Sequence, residues 1–581
     1  MQLHVRDALG GAPANLTMLT LALVVAATSG GACSSSDAAS PAGAPFGVAA
    51  PDASSPAPTW FRDVEPIVQR ECSGCHVVDG TGGFPLDRVA AKSIASLIAE
   101  RASARDMPPW PPGRAGAPLT SSRVLDSDAI ATLAAWAAAG APEGDPRDHV
   151  ERAPRAPALP PGPADLRLEP AGGVSYQAPA NPFVTDEIRC FVLDLPAGRD
   201  GLWVTAARWH AGTPFGVRSL GGFVVGAQGA ATARARERHD GRAGFECGGG
   251  LDDLALGPSL GASSTGGPQE GATFLPTGAS VRIPSGGAVV IRVHYAVKHL
   301  SGRSDRSGVD LWVAGESARR AVRPIVAVSV VAPVEVPCPT GVSTDPSSPC
   351  SRDNAFSRLA GPDVAGARAR ADARLTACGT DLARATESTA SGEHLFVTSS
   401  CASVAPFDGT LHVVLGRMQT RGASLLVEVE QGDGSWSAAL DIPRWRWAWE
   451  SAYVLERGLP VKAGRRFRVS CTFDNGTANQ WSALTGEPGH DAPARPPRLA
   501  PGYLVAAQGR AAEACNAYLG VQRAPYRSAT WPTLCHEAQA IHDDTCGAGT
   551  DLVSRGCTPA DEDASVAILG ATSPERVCAL P

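Results

Sequence analysis

The chain predicts a multidomain protein in which a small all-α domain precedes mainly antiparallel β-sandwiches and a Cys-rich tail. Three observations carry this. At 581 residues it is long enough for three or four domains of ordinary size. Apolar residues recur at helical spacing through Trp60, Phe61, Val64, Ile67 and Val68, then beyond residue 165 the period drops to two. Besides Cys33, the cysteines fall into one close pair near the start and a spread set of twelve downstream. The formal charge of -7 is modest and no long Lys/Arg block is present, so the chain lacks the footprint of a nucleic-acid binder.

Taken in order, residues 16–27 form an apolar stretch too short for a bilayer but suited to a signal-peptide core. Ser29-Gly30-Gly31-Ala32-Cys33 then places small residues before a cysteine, which resembles a bacterial lipoprotein signal. Residues 1–33 are read as that signal and Cys33 as the acylated residue, with ordinary secretion as the alternative. The protein is expected to be exported and membrane-anchored through the lipid, facing the periplasm or the cell surface. Residues 34–57, rich in Ala, Ser, Pro and Gly, read as a flexible tether.

The helix predicted from Trp60 delivers Cys72-Ser73-Gly74-Cys75-His76, the C-x-x-C-H attachment signature of a c-type haem. Two thiols can form thioethers to the haem vinyl groups, and the adjacent imidazole then lies under the iron. A zinc site would need two further ligands, and the nearest downstream candidate is His149. A second helix is marked by Ile94, Leu97 and Ile98. A third opens at Asp126 or Ser127, carries Ile130, Leu133 and Trp136, and stops at Gly140. Between them, Asp106-Met107-Pro108-Pro109-Trp110-Pro111-Pro112 is stiffened against helix, which holds Met107 as the candidate second axial ligand of the iron. Residues 58–146 therefore read as a small cytochrome c domain carrying haem c.

Residues 147–165 form a Pro- and Ala-rich linker. Beyond it 288–295, 309–313, 424–430 and 466–473 read as strands, with Gly432-Asp433-Gly434 as a turn. Strands separated by turns, with little long helical pattern, imply antiparallel sandwiches. Trp445, Trp447 and Trp449 alternate at period two and are expected on one packed face of a strand. Setting aside Cys33, Cys72 and Cys75 leaves twelve cysteines, an even number suited to disulfides in an oxidising compartment.

The order of the MPPW loop, Asp186-Glu187-Ile188-Arg189-Cys190-Phe191, Val293-His294-Tyr295, Asp441-Ile442-Pro443-Arg444-Trp445 and Cys471-Thr472-Phe473-Asp474-Asn475 resembles a bacterial group. Its members are cytochromes c fused to copper type II, ascorbate-dependent monooxygenase domains, relatives of peptidylglycine α-hydroxylating monooxygenase and dopamine β-monooxygenase. The resemblance covers about residues 58–525. It implies two jelly-roll-like β domains, 166–325 and 326–525, facing each other across a solvent-filled cleft and followed by the Cys-rich tail, 526–581. It also implies the bridges Cys190–Cys247 and Cys471–Cys515. Pairing within residues 338–401 and 535–578 stays open, and a disulfide-stapled tail is preferred there to a zinc site.

The family's chemistry needs two coppers, and the ligand positions decide whether this chain could hold them. His294 matches the one later histidine of the first site, but the stretch that should hold a His-His pair reads Phe215-Gly216-Val217-Arg218-Ser219-Leu220-Gly221. The second site's His-Met-His is Arg417-Met418-Gln419, and its last methionine falls on Ala514. His294 is thus the one remaining copper-ligand position, and a guanidinium at Arg417 repels a cation. His299 and His412, five residues from His294 and Arg417, would point to the opposite face in regular strands, and His210 and His239 offer no paired ligand at short spacing. Copper is not expected and no catalytic residue is assigned. The leading expectation is electron transfer by haem to or from a redox partner protein or small reductant. An active copper monooxygenase with displaced ligands, and a structural or ligand-binding surface lipoprotein, are the alternatives.

Overall fold

In the computed structural model, strand outweighs helix, 33% against 28%, and the strands form several antiparallel sheets. The described residues are 56–581 apart from 154–159, 181–183, 248–250, 265–270, 319–321, 360–362, 477–503, 506–513, 526–533, 548–551, 553–557 and isolated gaps of one or two positions. Cys33 and almost all of the 34–57 segment lie outside them. Residues Pro56–Pro581 make one unit.

Its first part is helical. A wide π-type turn, Trp60–Val64, leads into α1 (Glu65–Glu71), followed by α2 (Arg88–Ser93), α3 (Ala95–Ser103) and α4 (Ser127–Ala138). Asp126 caps α4 by accepting from the Ala129 amide at 2.7 Å, satisfying an amide that has no partner within the helix. The apolar positions read at helical spacing do meet: Trp60 and Trp136 pack with ring centres 5.9 Å apart in a core that includes Val64, Val68 and Leu133.

The β part is organised by one nine-stranded sheet. Its order is Leu166–Leu168, Gly308–Val313, Leu202–His210, Ala279–Ile283, Arg323–Val331, Asn516–Arg523, Gly409–Arg417 and Ala452–Val461, with Gly271–Phe274 also paired to Leu202–His210. A five-stranded sheet of Phe245–Glu246, Asp186–Asp194, Ala288–Ala296, Val217–Val225 and Ser259–Ser264 belongs to the first half. A second, of Ser388–Ser391, His394–Val404, Arg466–Asp474, Gly422–Glu430 and Trp436–Ile442, belongs to the second half. Each half thus sets a five-stranded sheet beside part of the long sheet, which the two share. The seam is Arg323–Val331, parallel to Ala279–Ile283 on one side and antiparallel to Asn516–Arg523 on the other. Because side chains alternate across a strand, Ile325 enters the first core while Val326, Val328 and Val330 enter the second. Val413 and Val454 also cross into the first core, so the halves are joined through packed side chains at this seam.

Disulfides join Cys190 to Cys247, Cys338 to Cys350, Cys378 to Cys401, Cys471 to Cys515 and Cys546 to Cys578. Cys535 is also disulfide-bonded, and Cys557 lies outside the described residues. The tail forms helices Leu534–Cys546, Pro559–Leu569 and Pro574–Cys578. It docks on the long sheet through Arg323–Glu537 and Arg282–Asp563, both at 2.8 Å.

The tryptophan triplet departs from expectation. Trp447–Trp449 is a single 3-10 turn, not strand, so the three indoles diverge. Trp445 is buried in the second core and donates to the Gln419 carbonyl at 3.2 Å, Trp447 packs on the first half, and Trp449 lines a cavity. Period two was present in the sequence, but the chain turns after Pro443 to satisfy contacts on three sides.

Truncating Ile325 to alanine is expected to cost about 3 kcal/mol. Since the strand serves both halves, urea unfolding of Ile325→Ala followed by disulfide-peptide protection in the two halves should show one common, lowered midpoint. Separate midpoints for the halves would contradict the shared core.

Candidate functional site

The C-x-x-C-H run begins where α1 ends. The Cys72 and Ser73 amides both donate to the Val68 carbonyl at 2.9 Å, and the Cys75 and His76 amides fold back onto the Cys72 carbonyl at 3.1 and 3.0 Å. This tight turn brings both thiols and the imidazole onto one short surface. Cys72 and Cys75 are half-buried thiols that do not bond to each other. Burial, then the charges of Glu71 and Cys75, pushes the Cys72 thiol up to about 12.

His76 is oriented by its backbone surroundings. Its Nδ1 lies 3.3 Å from the Phe84 carbonyl, and a carbonyl can only accept, so Nδ1 carries the proton and Nε2 the lone pair. Burial holds the imidazole below its ordinary pKa against the opposing pull of that hydrogen bond, which keeps it neutral. The Phe84 ring sits 4.8 Å from the imidazole. Gly82 closes the other side: a Cβ there would stand 2.6 Å from Nδ1, so any larger residue displaces the ring.

Met107 is on a separate loop, exposed, and on the wall of a cavity of about 540 Å³. The prolines stiffen this loop, as the sequence predicts, but its anchor is the second β half. The Gly113 amide donates to the Asp441 carbonyl at 2.7 Å, Thr120 to Val454 and Glu456 to Pro118 at 2.9 Å, and Trp110 meets Tyr453 edge-on at 5.6 Å. Arg444 donates to the Ala104 carbonyl at 2.6 Å and pairs with Asp106 at 3.3 Å. Gly113 lets the backbones meet closely, since a Cβ would stand 2.4 Å from an Asp441 carboxylate oxygen and push that side chain aside. No sequence signal pointed to this docking, although Arg444 lies in the D-I-P-R-W run.

Of the thirteen exposed large apolar residues among those described, seven fall within residues 77–124: Val77, Val78, Phe84, Val89, Leu97, Met107 and Val124. This segment thus leaves more large apolar side chains in water than the rest of the described chain. The segment therefore offers two thiols and an imidazole nitrogen on one turn and a thioether on a separate loop.

The second candidate region is the seam between the β halves. On Ala288–Ala296 the odd residues Val289, Ile291, Val293 and Tyr295 enter the first core, so Arg292 and His294 share the opposite face. His294 is buried, with its ring 4.4 Å from Trp447 of the second half. Arg417 is buried at the end of Gly409–Arg417, and Met418 is a core residue. Burial, then the charge of Arg417, pushes the Arg292 guanidinium down to about 10, and its nearest carboxylate is Glu450 at 3.8 Å. His210 pairs with Glu169 at 3.4 Å, His299 stacks on Phe215, and His412 meets Gln522 at 3.3 Å, each at a different place. Among the described residues no group of three His, Cys, Asp or Glu side chains could hold a metal. The residues at the seam do not fit copper, because two guanidinium groups stand beside the single imidazole.

No protein-family profile and no curated protein matches the chain. Among solved structures, allantoicase shares 10% identity over 52% of this chain and 78% of its own, with a TM-score of 0.14. Xanthan lyase from Paenibacillus shares 11% over 63% of this chain and 27% of its own, TM-score 0.13. Oxalate decarboxylase from Bacillus subtilis shares 8% over 68% and 86%, TM-score 0.11. At these scores the likenesses say nothing about what the chain does.

The seam yields one expected outcome. Replacing Glu450 by Gln removes the carboxylate nearest Arg292 and leaves a buried cation beside Arg417, at a cost of about 3 kcal/mol. Chemical denaturation of Glu450→Gln against wild type measures it.

Proposed function

We propose that this protein is an exported c-type cytochrome that transfers single electrons, joined to a β-domain pair of the copper type II, ascorbate-dependent monooxygenase type that no longer holds copper. The observation that carries the haem reading is the Cys72–His76 turn. Two unbridged thiols flank a neutral imidazole whose Nδ1 proton is committed to the Phe84 carbonyl, leaving Nε2 to bind iron. The exposed apolar side chains within residues 77–124 support the same reading.

Cys72 and Cys75 would hold haem c as thioethers, with His76 as the proximal ligand and Met107 as the second axial donor. When bound, the haem supplies a one-electron carrier. The chain's own residues orient and shield it: Phe84 and Gly82 set the imidazole plane, and the docked loop from Asp106 to Thr120 limits the movement of Met107. The small cytochrome c domain of residues 58–146 and the jelly-roll character of the β halves belong to this proposal. So does the membrane anchor at Cys33, with a redox partner protein or small reductant as the electron source or sink. Five described disulfides accord with maturation in an oxidising compartment.

The loss of copper is supported by Arg417, which stands at a ligand position of the resemblance, and by Arg292, which shares a strand face with His294 and feels the charge of Arg417.

Protein matured in a host competent for c-type attachment should show a reduced c-type spectrum with one covalent haem, by pyridine haemochrome. The double variant Cys72→Ala/Cys75→Ala should lose it, whereas Met107→Ala should retain the haem and change its axial-ligand signature. Colourless wild-type protein would overturn the proposal. After copper loading and desalting, electron paramagnetic resonance should find no stoichiometric type II cupric signal. Two retained coppers with ascorbate-dependent hydroxylation would instead establish the active monooxygenase.

A further inference from the structure

The cavity beside Met107 has two kinds of wall. Met107, Trp110, Leu125 and Trp449 make an apolar side, and the lining also holds five arginines against two carboxylates, Asp106 and Glu456. The acidic groups are partly committed: Asp106 pairs with Arg101 and Arg444, each at 3.3 Å. Among the arginines, Arg105 donates to the Leu125 carbonyl and Arg123 lies 6.0 Å over the Trp110 ring. Arg446, half-buried on the second β half, enters no ion pair among the described residues.

Such a cavity suits a flat apolar body with an anionic edge. The excess of arginine favours carboxylates, which a guanidinium binds in bidentate fashion, while the indoles favour an extended ring. A haem carries two propionate groups on one edge, and Met107, its proposed second axial donor, stands on this wall.

We propose that the cavity receives the propionate edge of the haem, with Arg446 of the second β half pairing one carboxylate and Arg123 the other. The inference rests on the haem reading above and adds that the β half completes the haem crevice. Trp449, which period two alone would assign to a sheet face, then becomes part of the cover. The second β half keeps a role after losing copper: it fixes the charge beside the haem and so tunes its potential.

The test compares matured wild type with Arg446→Gln, Arg446→Lys and the remote control Arg384→Gln. Haem content is read by pyridine haemochrome and the midpoint potential by spectroelectrochemistry at low and high salt. All four should carry one covalent haem. Loss of the Arg446 charge should shift the oxidised-to-reduced ratio about tenfold toward oxidised, about 59 mV for a one-electron couple. The shift should shrink with salt, Arg446→Lys should restore most of it, and Arg384→Gln should show none. Should the glutamine variant not fold, Arg446→Met keeps the apolar stem and removes the same charge. Full haem content with an unchanged potential in the charge-removing variant overturns this inference alone. Wild type without covalent haem overturns the reading beneath it.

Discussion

The pairing of Arg323–Val331 with a strand from each half is the constraint on which the rest of the architecture depends. One strand can face two cores only because its side chains alternate, with Ile325 on one side and Val326, Val328 and Val330 on the other. Once the long sheet is continuous, the five-stranded sheets are held at set positions on it. The face of Ala288–Ala296 that carries Arg292 and His294 is then closed by Trp447 and Glu450. The tail helices reinforce the same region, clamping Arg323 itself through Glu537.

That closure has an electrostatic consequence. Two guanidinium groups share a buried seam with Glu450 as the nearest carboxylate to Arg292, and desolvation makes each charge costly. A seam already carrying excess positive charge is a poor place for a divalent cation. The seam is therefore held as a buried joint between the two halves, with Glu450 offsetting the charge of Arg292.

The helical segment is tied to this body through the loop that bears Met107. Its contacts with Asp441, Val454 and Glu456 are backbone hydrogen bonds, which constrain position more tightly than side-chain packing alone. The residue proposed to ligate iron thus moves with the second β half.

Much of this was legible in the sequence. Strands read at 288–295, 309–313, 424–430 and 466–473 correspond to Ala288–Ala296, Gly308–Val313, Gly422–Glu430 and Arg466–Asp474, because half-buried strands impose alternation locally. The helix opening at Asp126 was legible too, since a cap is a contact within four residues. The C-x-x-C-H run is a property of residue type and spacing alone. The tertiary structure decided what lies between distant segments: the shared sheet, the burial of Arg292 beside Arg417, the divergence of Trp445, Trp447 and Trp449, and the docking of Arg444 and Arg446 near Met107. Such contacts join positions hundreds of residues apart, and no local period or spacing encodes which surfaces meet when the chain closes on itself.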